Sequence, residues 1–165
     1  MVKKAIIDYI RRWPNDEIYT PEYAVYPLLS YLPKDKIYWE CTDFWDSKIT
    51  KVLKDNWYKV IWTSFDFLTQ KPNFDFDVII TNPPYSLKTQ FLKKAYELWK
   101  PFCFLLPLTT LEWIERWKLF RKYWIELFIF DKRINFLGQK KNCWFNTSWF
   151  CWKILPKQLI FYSLK

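Results

Sequence analysis

A chain of 165 residues can bury one substantial core and leaves little room for a second domain. It has no histidine, which removes the usual general base and serine–histidine triads, and its four cysteines form no C-x-x-C pair, which argues against zinc and disulfide frameworks. The formal charge of +9 suits a polyanionic partner, although a lysine-rich, alanine-poor composition also fits drift in an AT-rich genome.

From the N-terminus, residues 2–12 read as a short amphipathic helix and not as a signal peptide, because Asp8 and Arg11 interrupt the apolar positions. No apolar run approaches the roughly 18–20 residues of a membrane span, so no membrane partner is expected, and four reduced, mostly buried thiols suit a cytoplasmic protein. Tyr19-Thr20-Pro21 reads as a helix start, with Thr20 as N-cap and Pro21 at the first helical position, leading into a helix over about 22–31. A strand follows near 36–40. Ile49, Val52 and Leu53 then recur at helical spacing behind Ser47, which predicts a capped helix over 47–56. A strand over 59–63 leads through Asp66-Phe67-Leu68 to a strand over 77–81, a helix over 87–98, a strand over 102–106 and a helix over 111–123. The chain closes with a strand over 125–130, a basic loop over 131–142 and a strand over 143–153; the tail 155–165 carries no decisive pattern. Strands alternating with helices predict an α/β fold with a mostly parallel sheet and helices on both faces. The last two strands are joined without a helix, which predicts an antiparallel edge. Residues 1–165 read as a single domain.

The most informative stretch is Thr81-Asn82-Pro83-Pro84-Tyr85, directly after the apolar run Val78-Ile79-Ile80. Two prolines end the strand, supply no backbone N–H and push Asn82 toward an extended conformation. The result is a rigid loop at a strand's C-terminal end, where open α/β sheets place their ligands. It holds an amide side chain, a carbonyl and an aromatic ring together, a set suited to gripping a planar group with an exocyclic amine. The Asn82 side-chain oxygen and the Pro83 carbonyl can each accept one N–H of that amine and stabilise positive charge as it forms. Tyr85 can stack on the ring, at about 1–3 kcal/mol.

A second anomaly concerns glycine. Average usage of about 7% predicts roughly 12 glycines in this length; the chain has one, Gly138, and it has twelve tryptophans. Three predicted helices are followed by Trp57, Trp99 and Trp124, where a left-handed glycine is expected, and Trp45 lies in a strand-to-helix turn that wants a residue without Cβ. The codon UGA, rendered as tryptophan but read as glycine by the source, accounts for all four. Trp62 and Trp113 fit this reading less well, whereas Trp39, Trp144, Trp149 and Trp152 fit strand or core positions.

The motif Asn82-Pro83-Pro84-Tyr85, the segment Leu105-Leu106-Pro107-Leu108 and the late Lys132-Arg133-Ile134-Asn135-Phe136 resemble the compact phage-type DNA N6-adenine methyltransferases, which are class I S-adenosylmethionine-dependent enzymes. The resemblance covers nearly the whole chain. It implies a single three-layer Rossmann-like methyltransferase domain without a separate target-recognition domain, and S-adenosylmethionine as cofactor. The reaction it implies is methyl transfer to adenine N6 by Asn82, Pro83, Pro84 and Tyr85, on a base flipped out of the duplex. Such a displacement at a sulfonium needs neither histidine nor metal. On the cofactor side the resemblance implies Tyr19, Thr20 and Pro21 at the methionine end, Glu40, Thr42 and residue 45 in the first strand–turn–helix unit, and Asp66 and Phe67 at the cofactor's adenine. The strand over 59–63 departs from the pattern, ending Trp62-Thr63-Ser64 where the family has an acid for the ribose. Lys132, Arg133, Phe136, Lys140 and Lys141 in the basic loop suit phosphate clamps with an interleaved aromatic, so DNA is the expected partner, with RNA as an alternative. Target specificity is then minimal, carried by such loops, or supplied by a partner. The same motif also suits methylation of an RNA amine or a protein glutamine amide. A non-catalytic cofactor-binding relic or accessory subunit is the third reading.

Overall fold

The computed structural model describes residues 19–43, 45–64, 66–136 and 145–164. The helix expected over 2–12 lies outside these residues, as do Gly138, Lys140, Lys141, Cys143 and Trp144.

Seven strands form one sheet: β1 (Ile37–Glu40), β2 (Lys59–Trp62), β3 (Val78–Thr81), β4 (Phe102–Pro107), β5 (Glu126–Phe130), β6 (Thr147–Trp152) and β7 (Leu159–Tyr162). Their order is β2-β1-β3-β4-β6-β5-β7. β1 pairs in parallel with β2 and β3, and β3 with β4. β6 runs antiparallel to both β4 and β5, and β7 adds to β5 in parallel. The sheet is therefore mostly parallel, with its antiparallel pairing gathered on the β4–β6–β5 side. A strand that follows its neighbour without a crossover helix pairs with it antiparallel, and β5 and β6 do so. The tail, undecided from the sequence, supplies the edge strand β7.

Among the described residues three α-helices flank the sheet: α1 (Lys48–Asp55), α2 (Lys88–Leu98) and α3 (Ile114–Tyr123). Short 3-10 turns at Tyr85–Leu87 and Leu108–Glu112 lead into α2 and α3. The helix expected over 22–31 is instead two 3-10 segments, Glu22–Ala24 and Tyr26–Tyr31. Pro27 explains this, since it has no N–H for an α-helical ladder and its ring crowds the carbonyl four residues back. Thr20 is not the cap of this segment. Pro21 holds that place with extended backbone and no side-chain bond.

Strand alternation divides the core between two faces. Tyr38, Ile80, Cys103, Leu105, Trp149 and Cys151 point to one face, where Ile49, Val52 and Leu53 of α1 and Ala24, Val25 and Leu28 cover them. Trp39, Ile79, Phe102, Phe104, Phe150 and Trp152 point to the other, against Phe91, Leu92, Ala95 and Tyr96 of α2. Strands β3, β4 and β6 are buried along their whole length, as expected for strands covered on both sides.

Five described residues other than glycine have positive φ: Trp45 (93°), Trp57 (63°), Trp99 (55°), Trp124 (54°) and Lys153 (57°). The four tryptophans are those expected at glycine positions, and they are 78, 90, 59 and 49% exposed in that order. Trp62 lies in β2 and Trp113 has extended backbone at φ −94°, so neither needs glycine's freedom. Trp39, Trp149 and Trp152 are fully buried, and their indole N–H groups donate to Thr63 Oγ1, the Ala24 carbonyl and the Tyr123 carbonyl.

Candidate functional site

The chain leaves β1 for a neighbour on one side, β2, and later places β3 on the other side of β1. Connections that diverge in this way open a crevice at the C-terminal ends of the two central strands, the usual ligand position in such sheets. The loops above that crevice begin at Cys41 and Asn82, so the structure brings the two principal sequence motifs together.

Glu40 is the junction between them. Its side chain is buried, and one carboxylate oxygen accepts hydrogen bonds from the Thr42 backbone N–H (3.0 Å), the Thr42 hydroxyl (3.1 Å) and the Thr81 hydroxyl (2.5 Å). The other oxygen accepts from the Ser47 hydroxyl at 3.1 Å. The Thr42 and Thr81 hydroxyls also lie within hydrogen-bond distance of each other, and with one proton apiece one of them can donate to the other only in place of Glu40. Burial pushes the Glu40 carboxyl up to about 7, against the pull of the Thr81 and Thr42 bonds, and nearby Asp43 adds to the rise. Glu40, expected on the cofactor side, has both oxygens engaged by residues of the two loops and the helix start.

Asp43, not singled out from the sequence, organises the turn that follows. One oxygen accepts from the backbone N–H groups of Trp45 (2.8 Å) and Ser47 (3.2 Å), and the other from the Thr50 hydroxyl (2.6 Å). Ser47 then caps α1 by accepting from the Thr50 N–H, as expected. The recognisable signal was Asx-turn spacing ahead of a helix start. Trp45 stands exposed above this turn with its ring edge-on to Trp62 of β2, centroids 4.9 Å apart.

At the end of β3, Pro83 is buried and Pro84 carries the carbonyl that accepts the Leu87 N–H at 2.9 Å, closing the 3-10 turn into α2. The motif is thus a stiff bracket between a buried strand and a packed helix. Lys88 reaches back to donate to the Tyr85 carbonyl at 2.9 Å. The Tyr85 ring meets Phe145 edge-on at 5.7 Å. Phe145 was missed by sequence reasoning, because only the antiparallel return of β6 beside β4 brings position 145 near position 85. Its neighbour Asn146 accepts the Leu108 N–H and donates to the Phe130 carbonyl, which fixes this return.

Other expected site residues sit differently. Phe67 is buried in the core, stacked on Phe91 at 4.8 Å and tilted against Trp39, and is not presented to a ligand. Its place is set by Phe91 of α2, a contact no local pattern shows. Asp66 accepts from the Leu68 N–H and the Thr69 hydroxyl, an ordinary loop-capping arrangement. Tyr19 is exposed and Thr20 buried at the head of the segment that Glu22 ties to Lys51 of α1 and that the Trp149 indole ties to the Ala24 carbonyl. In the basic loop, Phe136 is buried in the core and does not interleave with phosphate-binding cations; its apolar ring is covered on the α1 face of the sheet. Lys132 donates to the Leu164 carbonyl at 2.7 Å. Arg133 is exposed. No group of histidine, cysteine, aspartate and glutamate suited to a metal occurs among the described residues. No helix among them is long and apolar enough to cross a membrane.

No protein-family model matches the chain, and no curated protein matches it in sequence. Solved structures similar to it include an S-adenosylmethionine-dependent O-methyltransferase from Thermotoga maritima, at TM-score 0.49 and 13% identity over 92% of this chain and 72% of that one. A protein assigned as an RNA methyltransferase from Pyrococcus horikoshii gives 0.47 and 14% over 82% and 81%. The ribosomal protein L11 methylase from Lactobacillus delbrueckii subsp. bulgaricus gives 0.44 and 11% over 78% and 75%. Likenesses of this size decide neither activity nor substrate, which rest on the residues of this chain.

Proposed function

We propose that this chain is an S-adenosylmethionine-dependent methyltransferase whose target is an exocyclic amine, with adenine N6 in DNA as the substrate. The observation that carries the reading is the position of Asn82-Pro83-Pro84-Tyr85: a rigid bracket at the switch point, hydrogen-bonded through Thr81 to the carboxylate-bearing end of β1. Two buried carboxylates, Glu40 and Asp43, underlie the facing turn. Asp43 already occupies the Trp45 and Ser47 amides, so this turn is poorly suited to a phosphate, which needs such amides. An environment with acidic groups and committed amides fits a cationic ligand, and a sulfonium with an ammonium group is one. When bound, S-adenosylmethionine supplies an activated methyl group.

The residues of this chain supply position and charge stabilisation. The Asn82 amide oxygen and the Pro83 carbonyl accept the amine's two N–H groups, which favours a pyramidal nitrogen and stabilises its developing charge. Tyr85, braced by Phe145, packs on the base. The Glu40–Thr81 bond keeps the two halves at fixed separation, and fixed separation is where much of the rate in such a transfer arises. The positive net charge favours a nucleic acid over a protein substrate.

One observation favours a second, non-catalytic reading, that of a relic or accessory subunit. The end of β2 is committed to β1: the Thr63 N–H donates to the Glu40 carbonyl and its hydroxyl accepts the Trp39 indole N–H, and Asp66 is engaged by its own loop. A methyl-transfer assay with labelled cofactor on DNA, RNA and protein separates the readings. Label on DNA adenine is the expected result. Label only on RNA or protein moves the substrate, and no label together with no calorimetric binding of S-adenosylmethionine favours the non-catalytic reading.

A further inference from the structure

We propose that positions 45, 57, 99 and 124 are glycine in the protein its source makes, and that the codon rendered as tryptophan at these four positions is UGA read as glycine. Four of the five described non-glycine residues with positive φ are tryptophan, although tryptophan fills only 12 of 165 positions. A bulky Cβ-bearing side chain is disfavoured in this region, where glycine is the default. Trp57 and Trp99 follow α1 and α2, and their N–H groups bond back to the Lys54 and Tyr96 carbonyls at 3.0 Å each, as a left-handed helix cap does. Trp124, after α3, combines φ 54° with ψ 176°, close to a region that is essentially glycine-only.

The side chains tell the same story. All four indoles are about half exposed or more, Trp124 with its N–H donating to Glu126 at 3.4 Å, whereas Trp39, Trp149 and Trp152 are wholly buried with their N–H groups bonded. Tryptophan is retained for the surface it buries and the bond its N–H makes. The three core residues meet both conditions with ordinary backbone, and the four exposed ones have backbone suited to glycine. Backbone and not exposure separates the four, since Trp113 and Trp117 are 59 and 57% exposed with ordinary backbone; the left-handed positions point to UGA and the core set to UGG. Lys153 shows that a left-handed residue of another type occurs in this fold, where the Glu126 carboxylate accepts its N–H. At Trp62 and Trp113 the backbone makes no such demand. Glycine at 45 also removes the indole that lies against Trp62 across the ends of β1 and β2, which opens the crevice on its β2 side.

Peptide mass spectrometry of the protein isolated from its source tests this. Glycine residue masses at 45, 57, 99 and 124, with tryptophan at 39, 149 and 152, are expected; a tryptophan mass at any of the four overturns the proposal. Independently, the chain carrying Trp45→Gly, Trp57→Gly, Trp99→Gly and Trp124→Gly together is expected to melt roughly 10 °C above the chain as written. An equal or lower midpoint overturns it. Neither readout involves methyl transfer, so this proposal and the functional one fail separately.

Discussion

Glu40 and Thr81 share a 2.5 Å hydrogen bond that joins the end of β1 to the end of β3 across the crevice. The carboxyl beneath that bond is buried and pushed up to about 7 from an ordinary 4.5. The folded state therefore holds a proton that the unfolded chain has released between those values. Stability from this group is full below about 4.5 and falls as pH rises through about 7, by on the order of 3 kcal/mol. Glu40→Gln keeps an oxygen for Thr42 and Thr81 and removes the titration. Melting midpoints across pH 4–8 are expected to fall for the parent chain and to flatten for the variant. A cationic ligand near this carboxyl favours its ionised form, so S-adenosylmethionine binding is expected to release a proton near pH 6–7. Calorimetry in buffers of different ionisation enthalpy reads that release directly, and Glu40→Gln should abolish it.

The bracket at the end of β3 gives a kinetic prediction. Under the proposed function Asn82→Ala removes one of two acceptors for the target amine, and loss of a fixed dipole of this kind is expected to cost about 100-fold or more in turnover. Cofactor affinity should stay within about twofold. Tyr85→Ala should weaken target binding by about 1–3 kcal/mol, and Tyr85→Phe should cost far less, because the ring and its contact with Phe145 remain. Single-turnover rates and binding isotherms measured side by side distinguish the two effects. Loss of cofactor binding in Asn82→Ala would contradict the assignment of this loop to the target side.

The strand–helix alternation and the Asn82-Pro83-Pro84-Tyr85 loop were legible in the sequence because both depend on local periodicity and on proline's fixed φ. The left-handed positions of Trp45, Trp57, Trp99 and Trp124 were legible because helix termini constrain backbone more than they constrain side chains. What escaped was tertiary. Phe67 and Phe136 look like surface aromatics in sequence, and only packing against Phe91 and the α1-side core buries them. Phe145 became visible only when β6 returned beside β4. The 3-10 form of residues 22–31 follows from Pro27, which the expected helix left out of account. The bonds from Thr42, Ser47 and Thr81 to the Glu40 oxygens were likewise invisible, because Thr81 lies 41 residues away in sequence.

Arg116 of α3 gives a stability prediction away from the crevice. Its guanidinium donates to the Thr110 carbonyl at 2.6 Å and the Thr89 hydroxyl at 2.9 Å, holding the turn after β4 against the start of α2. Burial pulls its pKa down, yet guanidinium stays charged through neutral pH. Lysine cannot reproduce two donors in fixed directions. Arg116→Lys is expected to cost about 1–3 kcal/mol in urea unfolding, with an unchanged dependence on denaturant concentration.

Substitutions of a single residue type should show opposite signs at Trp39 and Trp57. Trp39 is wholly buried, touches Phe67, Phe74 and Phe76, and donates its indole N–H to Thr63. Trp39→Ala opens a large cavity and frees the Thr63 hydroxyl, so a loss of about 3–5 kcal/mol is expected. Trp57 is 90% exposed with φ 63°, so its removal forfeits little packing and relieves left-handed strain. Trp57→Gly should therefore stabilise by about 1 kcal/mol, since the relief at such a position outweighs the extra chain entropy of glycine. Trp57→Ala relieves less, because alanine keeps the Cβ that the left-handed backbone disfavours. Urea midpoints should accordingly rank Trp57→Gly above Trp57→Ala, and both far above Trp39→Ala; destabilisation by Trp57→Gly would show that the exposed indole contributes more than its surroundings indicate.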